Sequence, residues 1–250
     1  MTTHATPELT TPPADTTDTV AVLQWAAAHH KAGSEPAATL WTTLCDEVGV
    51  PHDTSAERLL DTLGRAGGDS IANAARRVGD RVRRADSPAH APGRRGGGVP
   101  YDEIAQDVAK ALRPLKDKVP FTGVKVRSGD VVALEEFVLE QVQLTAEVEE
   151  LVEEARKRAT GSSLASVSAR VGGPGLLVTL VNRLGVAIVQ RIVAMFASRA
   201  PTYAAGALVG GLLLAPLVTG PALRITAPSV TLIAVIRRLA TVHADLEPHT

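Results

Sequence analysis

The chain is poor in several residue types on which functional assignments are often built. Cys45 is the single cysteine in 250 residues, so no intramolecular disulfide framework can form and a reducing compartment is the natural home. Aromatic residues make up only 3% of the chain. Lysine is scarce beside arginine, 6 against 20, and alanine, valine and glycine abound, the usage of a GC-rich bacterial genome. Residues 1–18 carry no basic stretch and no apolar core, so no secretory signal is expected and the chain reads as cytoplasmic. No alternating apolar–polar strand pattern appears, and no catalytic motif. A net charge of −1 argues against a uniformly basic nucleic-acid protein.

What is present is enough length and 45% hydrophobic content for one large domain or two small ones. The neutral total hides four alternating charge blocks. Residues 1–64 carry nine acids against Lys31 and Arg58; residues 65–95 carry eight arginines against Asp69, Asp80 and Asp86. Residues 130–158 hold nine carboxylates and three bases, and 165–244 hold seven arginines and no acid. The last two blocks have the charge to pair with each other in the fold. The same arginines, at 183, 191, 199, 224, 237 and 238, would also suit anionic lipid headgroups.

The pattern predicts an all-α multi-helix bundle. Residues 1–17, rich in Thr, Pro and Asp, read as a disordered tail. An N-terminal helical subdomain spans 18–85, a Pro/Arg/Gly linker or insertion 86–100, and a C-terminal helical domain 101–244. Helices are expected at about 18–30, with Val20, Leu23, Ala26 and Ala27 on one face, and from Ser34 as cap with Pro36 in the first turn. A third follows a Thr54/Glu57 capping box, with Leu59, Leu60 and Leu63 at helical spacing. Gly67-Gly68 stops it and Asp69-Ser70 starts the next, which ends in the cluster Arg76–Arg84. A helix from Tyr101 has its acids early and Lys110 and Arg113 late, as the helix dipole favours. One long helix is expected from Ser128 or Asp130 to about Arg158, on the spacing of Leu134, Phe137, Val138, Val142, Leu144, Val148, Leu151 and Val152. Apolar stretches near 176–198, 202–215 and 228–243 follow, separated by Pro201, Pro216, Gly220 and Pro221.

The apolar C-terminal third raises the membrane question. Between Arg199 and Arg224 lie 24 uncharged residues. Pro201 and Pro216 limit uninterrupted helix there to 14 residues, or about 21 Å at 1.5 Å per residue, short of a hydrocarbon core of about 30 Å. The preceding stretch contains Arg183 and Arg191, each costly at mid-bilayer. A Gly/Ala-rich helical hairpin fits better, because Gly206, Gly210 and Gly211 permit close helix approach and are the residues expected at a membrane contact.

Elsewhere the architectural explanation prevails. His29-His30 lacks the i, i+4 spacing of a zinc helix, so no metal site is expected. Cys45 with His52 offers a thiol, but a lone cysteine on an apolar helix face reads as core. Gly96-Gly97-Gly98 lacks the Lys-Ser/Thr of a phosphate loop. Arg76–Arg84 and Arg94-Arg95 could meet phosphates, but no aromatic is interleaved for base stacking, which argues against nucleic acid. Glu149-Glu150 and Glu153-Glu154 lie on a solvent face. No catalytic residue and no cofactor is expected, and the chain reads as a non-enzyme.

Three segments together resemble one bacterial family: GGDSIAN at 67–73, YDEIAQDVAKAL at 101–112, and GPALRITAPSVTLIAVIRRL at 220–239. In that order they are similar to the YaaW-like proteins, which are grouped distantly with the ubiquinol–cytochrome c chaperone domain. The resemblance covers roughly residues 55–239; the 86–100 linker looks like an insertion relative to it, and residues 1–50 match weakly. It implies a helical protein with no established catalytic residues and a chaperone-like or membrane-proximal role. A partner site would be sought where Asp69, Ser70, Asn73, Arg224 and Thr226 converge, although helix stops and caps explain the same residues, with Thr226 capping a helix and Pro228 in its first turn. The expectation is therefore a non-enzymatic interaction protein, cytoplasmic or peripheral to the inner membrane, engaging a membrane or a membrane-protein client. A regulated membrane-perturbing effector and a purely soluble scaffold are the alternatives.

Overall fold

Twelve consecutive residues of one helix, Thr226 to Arg237, are buried, and the rest of the fold is arranged around them. In a computed structural model, residues 13, 15–33, 36–68, 98–112, 130–159, 179, 181–188, 190–192 and 221–246 are described. Among them there is no strand, and eight helices form an all-α bundle. These are α1 (Thr19–Ala32), α2 (Ala37–Val48), α3 (Ala56–Gly68), α4 (Tyr101–Leu112), α5 (Val131–Gln141), α6 (Thr145–Ala159), α7 (helical residues 181–188 and 190–192) and α8 (Pro221–Leu246). Helix α8 packs against every helix from α1 to α6, hence against elements from both sides of the 86–100 segment. A helix that is apolar all round belongs in a core.

Local chemistry explains most boundaries. The Asp18 carboxylate accepts from the Val20 N–H, 2.9 Å, and starts α1. Gly33 and Gly49 end α1 and α2 at φ 67° and 76°, the left-handed conformation that glycine adopts without a Cβ penalty. Leu40, Trp41, Leu44 and Cys45 of α2 are all fully buried, as the apolar spacing requires.

Several boundaries differ from expectation. Helix α2 has Pro36 as its N-cap residue, without a side-chain cap; Ser34 lies outside the described residues. Helix α3 begins one residue later than a Thr54 cap would set it. Ser55 Oγ accepts from the Arg58 N–H at 3.3 Å, while Thr54 is buried with its hydroxyl unpartnered. The long 130–158 helix is broken into α5 and α6 at Gln143, which has φ 55°. The break keeps Val142 and Leu144, two apart and unable to share one helix face, both buried at 1% and 0% exposure.

The last helix also starts earlier than expected. It runs from Pro221, so Thr226 is buried inside it and caps nothing, and Pro228 is interior. Proline removes one i→i−4 donor, which leaves the Arg224 carbonyl without its helical partner; Arg224 is exposed to water. The buried hydroxyls close back on the helix, Ser229 to the Ile225 carbonyl at 2.7 Å and Thr231 to the Ala227 carbonyl at 2.8 Å. The arginine cluster 76–84, the 86–97 part of the linker and the expected 200–220 hairpin, with Gly206, Gly210 and Gly211, lie outside the described residues.

Candidate functional site

The acid-free block 165–244 meets the acidic block 130–158 side chain by side chain. Arg237 on α8 and Glu135 on α5 form a buried ion pair, with Nε to Oε2 at 2.6 Å and Nη2 to Oε1 at 3.0 Å. Their side chains are 5% and 2% exposed, so water contributes almost nothing and the partners must satisfy each other. The Tyr101 hydroxyl, at the start of α4, donates to Glu135 Oε1 at 2.8 Å. Arg237 also donates to Thr19 Oγ1, 2.7 Å, and to the Thr16 carbonyl, so the segment entering α1 is tied to α8.

Burial pushes Glu135 above its ordinary value, against the hydrogen bonds from Arg237 and Tyr101. Burial works to lower Arg237, but Glu135 outweighs it and holds the guanidinium protonated. Tyr101 is raised by burial and by the Glu135 charge, which keeps its hydroxyl a donor. A second bridge joins Arg238 to Glu136 at 2.7 Å.

Arg191 on α7 makes the third cross-block pair, with Glu147 in the first turn of α6. It also donates to the Val142 carbonyl at 3.4 Å and to the Gln143 carbonyl, capping the end of α5 where the backbone turns. Desolvation would raise Glu147, but the Arg191 hydrogen bond prevails and holds it below its ordinary value.

Beside this pair an open cleft of about 760 Å³ lies between α6 and α7. Its walls include Glu147, Glu150, Asn182, Arg183, Gln190 and Arg191, and also Val186, which is 56% exposed. A shallower opening of about 510 Å³ lies where α1 and α4 begin, with Asp18, Asp61 and Asp102 on its walls.

Of the residues expected at a partner site, Asp69, Ser70 and Asn73 lie outside the described residues. Arg224 is exposed near the start of α8, and Thr226 is buried at 3% exposure. The three segments carrying the family resemblance do meet. A Cβ placed on Gly67 would stand 3.2 Å from Ile104 Cγ1 and 3.7 Å from Thr226 Cγ2, bringing one residue of each segment to a single point. That contact is apolar packing.

Trp25 and His29 of α1 cluster with His243 in tilted and edge-on contacts, with centroids 4.4 Å apart for Trp25–His29 and 5.7 Å for the histidine pair. His29 Nδ1 donates to the Trp25 carbonyl at 3.0 Å, and burial holds its pKa below the ordinary value. Cys45 is buried and its thiol is pushed up to about 12, which makes it a poor nucleophile at neutral pH. Among the described residues no group of three or more His, Cys, Asp or Glu is placed to hold a metal ion.

The sequence showed which blocks should pair, but not the Glu135–Arg237–Tyr101 arrangement or the α6–α7 cleft. The forward signals were the charge balance between the two blocks and, for the cleft, the arginines at 183 and 191 that suit anionic headgroups. By fold and buried charge the chain is an all-α bundle built on a locked central helix. No protein-family model, curated protein or solved structure matches it.

Proposed function

We propose that the chain is a non-enzymatic, membrane-proximal interaction protein in which the apolar 200–223 run makes the membrane contact and the helical bundle anchors it. The observation that carries this reading is the position of α8. Leu223–Leu246 is long and apolar enough to cross a bilayer, yet 83% of its most apolar window is buried. A buried arginine bonded to Glu135, Thr19 and Thr16 holds it in the bundle. Moving α8 into lipid would expose the bundle core and strand Glu135, an ionised group that costs several kcal/mol when left buried without its partner.

The remaining long uncharged run is 200–223, which contains the Gly206/Gly210 step; its last three residues, 221–223, already belong to α8. The resemblance to the YaaW-like proteins, which implies a chaperone-like or membrane-proximal role, is compatible with this reading. Vesicle flotation of the full chain beside a deletion of 200–223, with circular dichroism on both, tests the reading. The full chain should float, the deletion should not, and both should stay helical. A full chain that stays unbound on every vesicle composition, with a deletion that unfolds, would make those residues core and overturn it. Release of an entrapped dye would instead favour a membrane-perturbing effector.

A further inference from the structure

We propose that the α6–α7 cleft binds a zwitterionic group of the phosphoethanolamine class, its phosphate on Arg183 and its ammonium on Glu150. This deepens the membrane-proximal reading and rests on it for the source of the ligand, a phospholipid headgroup.

The cleft's volume, about 760 Å³, falls within the roughly 300–1,000 Å³ of ordinary ligand sites. Four of its wall residues are charged, and two of these are already engaged. Arg191 and Glu147 bond to each other, and Arg191 also caps α5. The other two, Arg183 and Glu150, make no hydrogen bond or ion pair among the described residues. Arg183 reaches Glu147 only as a longer-range charge.

Among the described residues the cleft therefore presents one unpaired guanidinium and one unpaired carboxylate, and its walls also include the amides of Asn182 and Gln190. A simple anion drawn to Arg183 is opposed by Glu150, and a simple cation drawn to Glu150 is opposed by Arg183. A small group carrying both signs meets neither penalty. The guanidinium fork matches phosphate oxygens, and a primary ammonium has three N–H donors for a carboxylate and the amide oxygens. Val186, another wall residue at 56% exposure, offers an apolar contact for the start of a lipid tail. The described residues of α7 also precede in the chain the 200–223 run that is proposed above to contact the membrane.

The test uses the full chain and three sets of vesicles: phosphatidylcholine alone, and the same lipid mixed with phosphatidylethanolamine or with phosphatidylglycerol. The variants are Arg183→Gln, Glu150→Gln and a control, Arg65→Gln, whose exposed side chain pairs with Asp61 on α3 and is not among the cleft's wall residues. Soluble phosphoethanolamine is titrated separately by calorimetry and used as a competitor. Flotation should be strongest on the phosphatidylethanolamine vesicles, because a choline ammonium has no N–H to offer Glu150. R183Q and E150Q should each weaken that binding about tenfold, the scale of one charge-assisted hydrogen bond. R65Q should change nothing, and soluble phosphoethanolamine should compete.

If E150Q instead strengthens binding, with preference for phosphatidylglycerol, the cleft is a simple anion site and the proposal fails. It also fails if both variants float like the parent chain, or if they abolish a dimer without affecting lipid binding, which would make the cleft an interface between two copies. Calorimetric binding of phosphoethanolamine with no flotation on any vesicle overturns the headgroup assignment and the membrane reading, leaving a soluble ligand. Flotation that depends on 200–223 but not on Arg183 or Glu150 overturns this inference alone.

Discussion

Arg237 and Glu135 are 102 residues apart in sequence and nearly sealed from water, so their energetics are those of a buried pair. Removing one partner strands the other. Arg237→Met is therefore expected to destabilise the fold by about 3–5 kcal/mol, and Glu135→Leu by a similar amount. The double variant should lose much less than the sum, because the two side chains then pack as apolar neighbours; urea denaturation of all four proteins checks this. Additive losses would show that the pair is not the lock described above. The charge balance between blocks 130–158 and 165–244 was legible in the sequence, but the particular partners were not. Which arginine meets which carboxylate depends on how α5 and α8 cross, and no local pattern encodes that. The contributions of Tyr101, Thr16 and Thr19 were hidden for the same reason. His29 supplies a pH test. Because burial depresses its pKa, the folded state binds fewer protons than the unfolded state as acidity rises. Its contribution should be complete above the unfolded value of about 6.5 and decline as pH falls below it. His29→Gln should flatten that part of the pH–stability curve, and an unchanged slope would contradict the assignment.

Each helix is set by short-range rules, and most of those rules were visible in advance. The helix starting near Asp18, the Leu59, Leu60 and Leu63 spacing of α3 and the charge order of α4 are readable without coordinates, whereas the stops at Gly33 and Gly49 emerge only with the structure. The misreadings have physical causes. The step of two from Val142 to Leu144 departs from helical spacing and marks the turn at Gln143, yet the surrounding three- and four-residue steps concealed it. Pro228 looked like a first-turn residue because proline usually is one; burial on all sides of α8 overrides that preference. Thr54 and Ser55 both suit a cap, and only the geometry shows that Ser55 makes the bond. One contact within α3 was invisible altogether. The Val99 N–H donates to the Gly64 carbonyl at 3.0 Å, and a Cβ on Gly64 would stand 2.7 Å from the Val99 carbonyl oxygen. In an ordinary helix Gly→Ala gains about 1 kcal/mol. Here the clash is with backbone and should win, so Gly64→Ala is expected to lower stability by about 1–3 kcal/mol. A raised Tm for that variant would show that the 98–100 segment yields freely.

Across the whole molecule, one apolar core gathers helices from both sides of the 86–100 segment around α8. The all-α architecture was legible because helical periodicity and caps recur along the chain, whereas the central place of α8 was not. Hydropathy alone treats a buried spine and a membrane segment alike, and Leu223–Leu246 passes as either. Only its packing and the bonds of Arg237 distinguish them. The candidate site was less legible than the fold, since Glu150 and Arg183 lie on separate helices and neither belongs to a motif. Backbone hydrogen exchange of the full chain with and without lipid vesicles decides whether α8 stays in the bundle while the preceding run meets lipid. Amides from Thr226 to Arg237 should stay protected to the same degree in both conditions, while added protection appears within 200–220. Loss of protection along α8 on vesicle addition, with 200–220 unchanged, would contradict that arrangement.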